Sequence, residues 1–156
     1  MATDEHDSAG IKLPPPLYFA SGLGLGLLLS HWFATPFGSV MWADLLGSAL
    51  VVVSLLLGLS AAYALWRAGT TVRPDRPSSA LVEAGPYRFT RNPLYVALTL
   101  LYLGVTLLAQ SLWALLLLPV VLLIIQRNVI VREERYLERR FGADYDRYRA
   151  QVRRWL

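Results

Sequence analysis

Two arginines, two tyrosines and an Asn-Pro pair are crowded into EAGPYRFTRNPLY, at positions 83–95, immediately before a long apolar run. Asn92 followed by Pro93 is typical of a helix start, with Asn92 as the N-cap and Pro93 at the first helical position. A helix N-terminus carries partial positive charge, so Arg88 and Arg91 beside it predict a site for a carboxylate or phosphate. In the alternative interpretation, these residues only cap the helix and anchor it at the membrane surface.

A second charged cluster, QRNVIVREERYL, begins at position 126, where another apolar run ends. Arg127 and Glu134 share one face of an α-helix at this spacing, whereas Glu133 points about 100° away. A carboxylate at headgroup depth is costly without a partner, and an ammonium or sulfonium group would supply one. The alternative is a solvated helix end with weak surface ion pairs. Together, the charges of the two clusters fit a zwitterionic soluble ligand that meets a lipophilic one at the membrane boundary.

The composition places both clusters in a membrane protein. The chain is 55% apolar and 17% charged, with a mean hydropathy of +0.43, whereas a soluble protein carries about 25% charged residues. Cysteine is absent and the only histidines are His6 and His31, so we expect neither a bound metal nor a Ser-His-Asp triad. The arginines flank apolar runs, so the net charge of +4 predicts contact with membrane lipids and no binding of nucleic acid.

Four apolar runs could form the helices that position the clusters. They cover residues 17–33, 44–66, 93–109 and 112–131. Only a Gln-Ser turn separates the last two runs, which predicts a helical hairpin, although the third run is short for a full crossing. Residues 1–16 are interpreted as a flexible N-terminal tail and residues 17–156 as a single domain. The glycines of SGLGLGL, in the first run, predict close helix packing and would also permit a homo-oligomer.

The segment after position 131 predicts amphipathic helices that lie at the membrane surface with their apolar face among the lipid headgroups. Its apolar and aromatic side chains recur at three- and four-residue spacing, at Leu137, Phe141, Tyr145, Tyr148 and Val152. Gly142 suits a helix C-cap, and Asp144 suits the N-cap of a second short helix.

Charge asymmetry predicts the orientation of the four crossings. An even number places the N-terminus, the 67–92 connection and the C-terminal segment on one side of the membrane. All 15 basic residues then lie on that side, which the positive-inside rule makes cytoplasmic. We therefore expect an all-α, multi-pass integral membrane protein with both termini in the cytoplasm, in the inner membrane if the cell is bacterial.

The order of these features resembles a known superfamily. LVEAGPYRFTRNPLY, an apolar hairpin and REERYLERRFGADYDRYRAQVRRW are similar to the C-terminal half of the isoprenylcysteine carboxyl methyltransferase and phospholipid methyltransferase superfamily. The resemblance implies that residues 81–155 are a module that binds S-adenosylmethionine. The cofactor-binding residues that it implies are Gly85, Tyr87, Arg88, Arg91, Asn92, Pro93, Tyr95, Glu133 and Glu134. The catalytic candidates are Glu134, Glu133 and Arg127, with Glu134 placed first because it shares a face with Arg127.

The resemblance also implies the reaction, which is methyl transfer to a lipophilic, membrane-partitioned acceptor at the cytoplasmic face. The acceptor would be a prenyl-cysteine-like carboxylate or a related lipid, or alternatively a phospholipid amine or a small hydrophobic thiol or amine. Asn92 stands where better-known members have histidine, so we expect it to bind or orient and not to act as a base. An NADPH-dependent reductase is a second possibility, because membrane sterol reductases resemble the same module. A non-catalytic membrane protein that has kept the fold is a third.

Overall fold

The computed structural model describes residues 13–33, 41–70 and 79–156, and these residues form helices joined by short connections. Most of the predicted tail, the first short turn and the RPDRP segment lie outside the described residues. The apolar helices are Pro15–Trp32 (α1), Met41–Arg67 (α2), Pro93–Leu108 (α3) and Leu112–Ile125 (α4). Two charged helices follow, Val131–Phe141 (α5) and Ala143–Gln151 (α6). The all-α prediction is therefore confirmed for the described part of the chain.

The fourth apolar helix continues beyond its apolar residues. A π-helical turn, Gln126–Ile130, joins α4 to α5, so that Leu112–Phe141 is one continuous helix whose charged part, α5, lies beyond the apolar stretch. This helix and α2 each contain a window of mean hydropathy 2.3 and are long enough to cross a membrane. The apolar helix α3 is shorter, with 16 residues, or about 24 Å. The structure thus supports a membrane protein, and four crossings stay a prediction.

Glycines bring the apolar helices together in two pairs. In the α1–α4 pair, a Cβ added at Gly26 would lie 2.4 Å from the Cα of Ala114. In the α2–α3 pair, a Cβ added at Gly47 would lie 2.9 Å from the carbonyl oxygen of Gly104. A side chain would not fit at either contact without moving backbone. The predicted packing role of SGLGLGL is therefore confirmed at Gly26, whereas Gly24 faces open space.

The connection between α3 and α4 is the predicted tight turn. Gln110 adopts a positive φ of 50°, and the Ser111 hydroxyl caps α4 by accepting the N–H of Ala114 at 3.0 Å. The two arms meet where the Tyr102 hydroxyl donates to the carbonyl oxygen of Ala114 at 2.8 Å. Their mutual contact is otherwise limited, because α3 packs mainly against α2 and α4 mainly against α1.

The predicted helix ends are partly confirmed. Asn92 and Pro93 begin α3 as expected, but the Asn92 side chain makes no capping hydrogen bond. Gly142 ends α5 with a φ of 53° and is the predicted C-cap. The predicted N-cap at Asp144 is wrong, because α6 already begins at Ala143 and Asp144 lies within its first turn.

The C-terminal helices fold back onto the protein. Tyr145 and Tyr148 are buried, so the prediction that these two rings face the lipid headgroups is wrong. The Tyr148 hydroxyl donates to the carbonyl oxygen of Tyr87 at 2.8 Å, and the Tyr145 hydroxyl accepts from Nη1 of Arg91 at 3.2 Å. These bonds hold the C-terminal segment and the connection before α3 at the same end of the bundle, as predicted from charge.

Candidate functional site

At the end of the bundle that carries the C-terminal segment, the Glu134 carboxylate contacts two arginines from outside its own helix. Arg154 donates from Nε to Oε1 at 2.9 Å and from Nη2 to Oε2 at 2.5 Å. Nη1 of Arg91 lies 3.2 Å from Oε1, and only 9% of the Arg91 side chain and 12% of the Glu134 side chain are exposed. Two guanidinium groups thus face one carboxylate, which leaves this cluster with one uncompensated positive charge.

Arg91 also has an unused donor. Its Nε is buried and has no hydrogen-bond partner among the described residues. A buried donor without a partner costs about 1–3 kcal/mol, which an added acceptor would recover. The free donor and the excess positive charge are both suited to an anionic group such as a carboxylate.

The neighbouring Glu133 has a different environment. The Tyr95 hydroxyl donates to its Oε1 at 2.7 Å. Burial raises the pKa of Glu133 to about 7, the Tyr95 hydrogen bond opposes that rise, and the charge of Glu134 adds to it. Glu133 can therefore exchange a proton near neutral pH, and in its ionised form it can face a cation.

Tyr87 belongs to the same region. It lies on the 3₁₀ turn Gly85–Arg88, which Gly85 opens with a positive φ of 60°. Burial raises the pKa of Tyr87, as do the neighbouring Tyr148 and Glu133. The phenol therefore stays neutral and can act as a hydrogen-bond donor or as an aromatic neighbour for a cation.

The non-helical segment after α6, residues 152–156, contacts the residues just before α3, and we call it the C-terminal strap. The N–H of Arg91 donates to the carbonyl oxygen of Arg153 at 2.9 Å. The carbonyl oxygen of Arg154 accepts the Asn92 amide at 2.9 Å and the Thr90 hydroxyl at 3.1 Å. The strap thus binds the Arg-Asn-Pro segment directly, and Asn92 is a tether in this structure.

Most of the residues predicted for the site lie together. Five of them contact one another or the strap, namely Arg91, Asn92, Tyr95, Glu133 and Glu134. Tyr87 lies at the same end, where its carbonyl oxygen accepts from Tyr148 of α6. Pro93 is buried at the start of α3, whereas Arg88 is exposed. Sequence reasoning missed Arg154 as the partner of Glu134 and Tyr145 as a partner of Arg91.

The predicted shared face of Arg127 and Glu134 is wrong. Arg127 is exposed, while Glu134 is turned toward Arg91 and Arg154. The cause is the π turn Gln126–Ile130, whose i→i+5 bonds take one more residue per turn than α-helical bonds. One extra residue rotates the following side chains by about 100° relative to an uninterrupted α-helix.

Fold and site together define a helical membrane protein with a cluster of charged side chains at one end of its apolar helices. A sequence model of the family described as phospholipid methyltransferase matches residues 42–144. The chain belongs to this family, which is part of the superfamily of integral membrane methyltransferases inferred from the motifs. Membership implies methyltransferase activity at a membrane.

Part of the chain is similar to one further protein. An uncharacterized protein of Haemophilus influenzae is 43% identical over 63 residues, which are 40% of this chain and 100% of that protein. No solved structure matches the chain significantly. Tyr145, Tyr148 and the C-terminal strap lie beyond the residues that the family model matches, although they contact the site.

Proposed function

We propose that the protein transfers a methyl group from S-adenosylmethionine to a lipophilic, membrane-partitioned acceptor at the cytoplasmic face of the membrane. Family membership supports the reaction type. The observation that carries the choice of cofactor is the unused, buried Nε of Arg91 in a cluster of net positive charge, next to the Glu133 carboxylate. This pair of charges is complementary to a zwitterion.

The residues present fit the methionine end of S-adenosylmethionine. Arg91 would hold the carboxylate through its free donor, and Glu133 with Tyr87 would face the positively charged groups. When bound, this cofactor supplies an electrophilic methyl group carried on a sulfonium. The chain's own contribution is to fix the orientation of both reactants and to keep water away, which accounts for much of the acceleration in transfers of this kind.

We further propose a phospholipid amine as the acceptor. The matched family is described by its action on phospholipids, and the environment of Glu133 is consistent with that class. An ammonium headgroup must lose a proton before its nitrogen can attack, and a carboxylate with a pKa of about 7 can accept that proton at neutral pH.

A second acceptor class is a prenyl-cysteine-like carboxylate or a small hydrophobic thiol. A carboxylate acceptor needs no base, and ionised Glu133 would repel it. A thiol would use the same base as an amine. The amine is therefore favoured over the carboxylate by charge, and over the thiol by the family description.

The test is a ligand titration of the purified protein in lipid nanodiscs. S-adenosylmethionine and S-adenosylhomocysteine should both bind, and NADPH should not. Binding of NADPH alone would indicate a reductase, and binding of none of the three a non-catalytic protein. The acceptor is then identified with methyl-labelled cofactor and separate nanodiscs that contain phosphatidylethanolamine, a prenylated cysteine or phosphatidylglycerol only. Label should enter phosphatidylethanolamine, and label in the prenylated cysteine would contradict the proposed amine.

A further inference from the structure

We infer that Arg154 is a positioning residue, which places Arg91 for the carboxylate end of the cofactor without itself contacting it. The inference rests on the proposed function. Arg154 lies beyond residues 42–144, which the family model matches, and it reaches the site from the C-terminal strap.

Arg154 fixes the geometry of the Glu134 carboxylate. Arg154 occupies both oxygens of Glu134, with Nε at 2.9 Å from Oε1 and Nη2 at 2.5 Å from Oε2. Such a two-point contact between planar groups fixes the plane of the carboxylate as well as its position. Oε1 is also the atom that Nη1 of Arg91 approaches at 3.2 Å. The guanidinium of Arg91 is therefore held against a carboxylate whose orientation Arg154 determines.

Arg154 also changes the net charge around Arg91. Without Arg154, the charges of Arg91 and Glu134 would cancel, and an incoming carboxylate would meet a neutral pair. With Arg154, these three side chains together carry one positive charge, with Arg91 and Glu134 only 9% and 12% exposed and Arg154 itself 37% exposed. Arg154 thus supplies both the geometry and the net charge on which anion binding by Arg91 depends.

The strap has other anchors besides the Arg154 side chain. The carbonyl oxygen of Arg154 accepts hydrogen bonds from Asn92 and Thr90, and the indole N–H of Trp155 donates to Oε1 of Gln126 at 2.8 Å. None of these contacts uses the Arg154 side chain. A change of that side chain should therefore leave the strap in place, and the positioning role can be tested without displacing the segment.

The experiment compares two ligands that differ at one end. S-adenosylhomocysteine carries the amino acid group, whereas 5′-methylthioadenosine keeps the adenosine and the thioether but lacks that group. In Arg154→Gln, S-adenosylhomocysteine should bind roughly tenfold more weakly and 5′-methylthioadenosine as in the unmodified protein. Arg154→Lys keeps the charge but loses the two-point contact, and its loss should be intermediate. Arg139→Gln, which removes an exposed guanidinium from α5, should change neither affinity.

Turnover provides a second measurement. In Arg154→Gln, the KM for S-adenosylmethionine should rise roughly tenfold while kcat stays within about a factor of two, as expected for lost ground-state binding. An equal loss of affinity for S-adenosylhomocysteine and 5′-methylthioadenosine would indicate general damage to the site and overturn the positioning role. A fall in kcat at unchanged KM would do the same. Unchanged binding of S-adenosylhomocysteine would overturn it too. If the unmodified protein binds neither S-adenosylmethionine nor S-adenosylhomocysteine, the proposed function fails first and the inference fails with it.

Discussion

Removing one phenol should shift the pH dependence of the reaction. In Tyr95→Phe, Glu133 loses the donor that lies 2.7 Å from its Oε1. That hydrogen bond stabilises the ionised carboxylate and lowers its pKa, against the larger effect of burial. Its loss should therefore raise the pKa of Glu133 above about 7.

The size of the effect follows from the strength of such a bond. A hydrogen bond to a charged group contributes about 1.5–3 kcal/mol, and about 1.4 kcal/mol corresponds to a tenfold change in proton affinity. Taken at the lower end of this range, the loss of the bond corresponds to about a tenfold change in proton affinity. The pKa of Glu133 should rise from about 7 to about 8.

The sign of the rate effect follows from the proposed role of Glu133 as a general base. A general base works when it is deprotonated, so the rate should rise with pH through the pKa of Glu133. At pH 7 about half of the unmodified protein and about a tenth of Tyr95→Phe would carry ionised Glu133, a difference of roughly fivefold in rate. The two rates should converge well above pH 8.

The assay is the pH profile of kcat with labelled cofactor and phosphatidylethanolamine nanodiscs. Tyr102→Phe is the matched control, because it removes a phenol from the same helix that donates to the carbonyl of Ala114 and not to a titrating group. Its profile should match that of the unmodified protein. A Tyr95→Phe profile at the same pH as the unmodified one, or displaced to lower pH, would refute the assignment of Glu133 as the base.

Three other outcomes are expected. Glu133→Gln should lower the rate of methylation of an amine acceptor about 100-fold and remove the acidic limb of its pH profile. Initial rates measured with labelled cofactor at several pH values would show both effects. Gly26→Ala should destabilise the fold by roughly 1–3 kcal/mol, because the added Cβ would lie 2.4 Å from the backbone of the facing helix. Gly24→Ala is the control and should not destabilise the fold, because Gly24 faces open space. Thermal unfolding followed by circular dichroism compares the two variants. Asn92→Leu removes the 2.9 Å hydrogen bond to the C-terminal strap and should speed amide hydrogen exchange in the strap about fivefold. Mass spectrometry measures this rate, and an unchanged rate would show that the hydrogen bond is dispensable.

Local features were predictable because their causes are local. The Asn-Pro pair begins α3, since proline fixes its own φ and needs no donor at the first helical position. Gly142 ends α5 because its φ of 53° is accessible to glycine at little cost. The close approach at Gly26 likewise followed from the small-residue pattern of the first apolar run.

The partners of the site residues were not predictable in the same way. The amide of Asn92 meets a carbonyl oxygen 62 positions later, and periodicity carries no information about such a contact. The three-residue spacing placed Tyr145 and Tyr148 on one helix face, but it could not show whether lipid or protein contacts that face. The buried phenols of both residues reach polar atoms of the connection before α3, which is a result of tertiary packing.

The π turn Gln126–Ile130 also separates two sets of requirements along one continuous helix. Ahead of the turn, side chains of α4 are constrained by apolar neighbours, and after it those of α5 are constrained by ion pairs. In an uninterrupted helix a single rotation about the axis would have to satisfy both sets at once. The angular offset at the turn lets the two parts present different faces of the helix, so that Glu133 and Glu134 need not continue the face by which α4 packs.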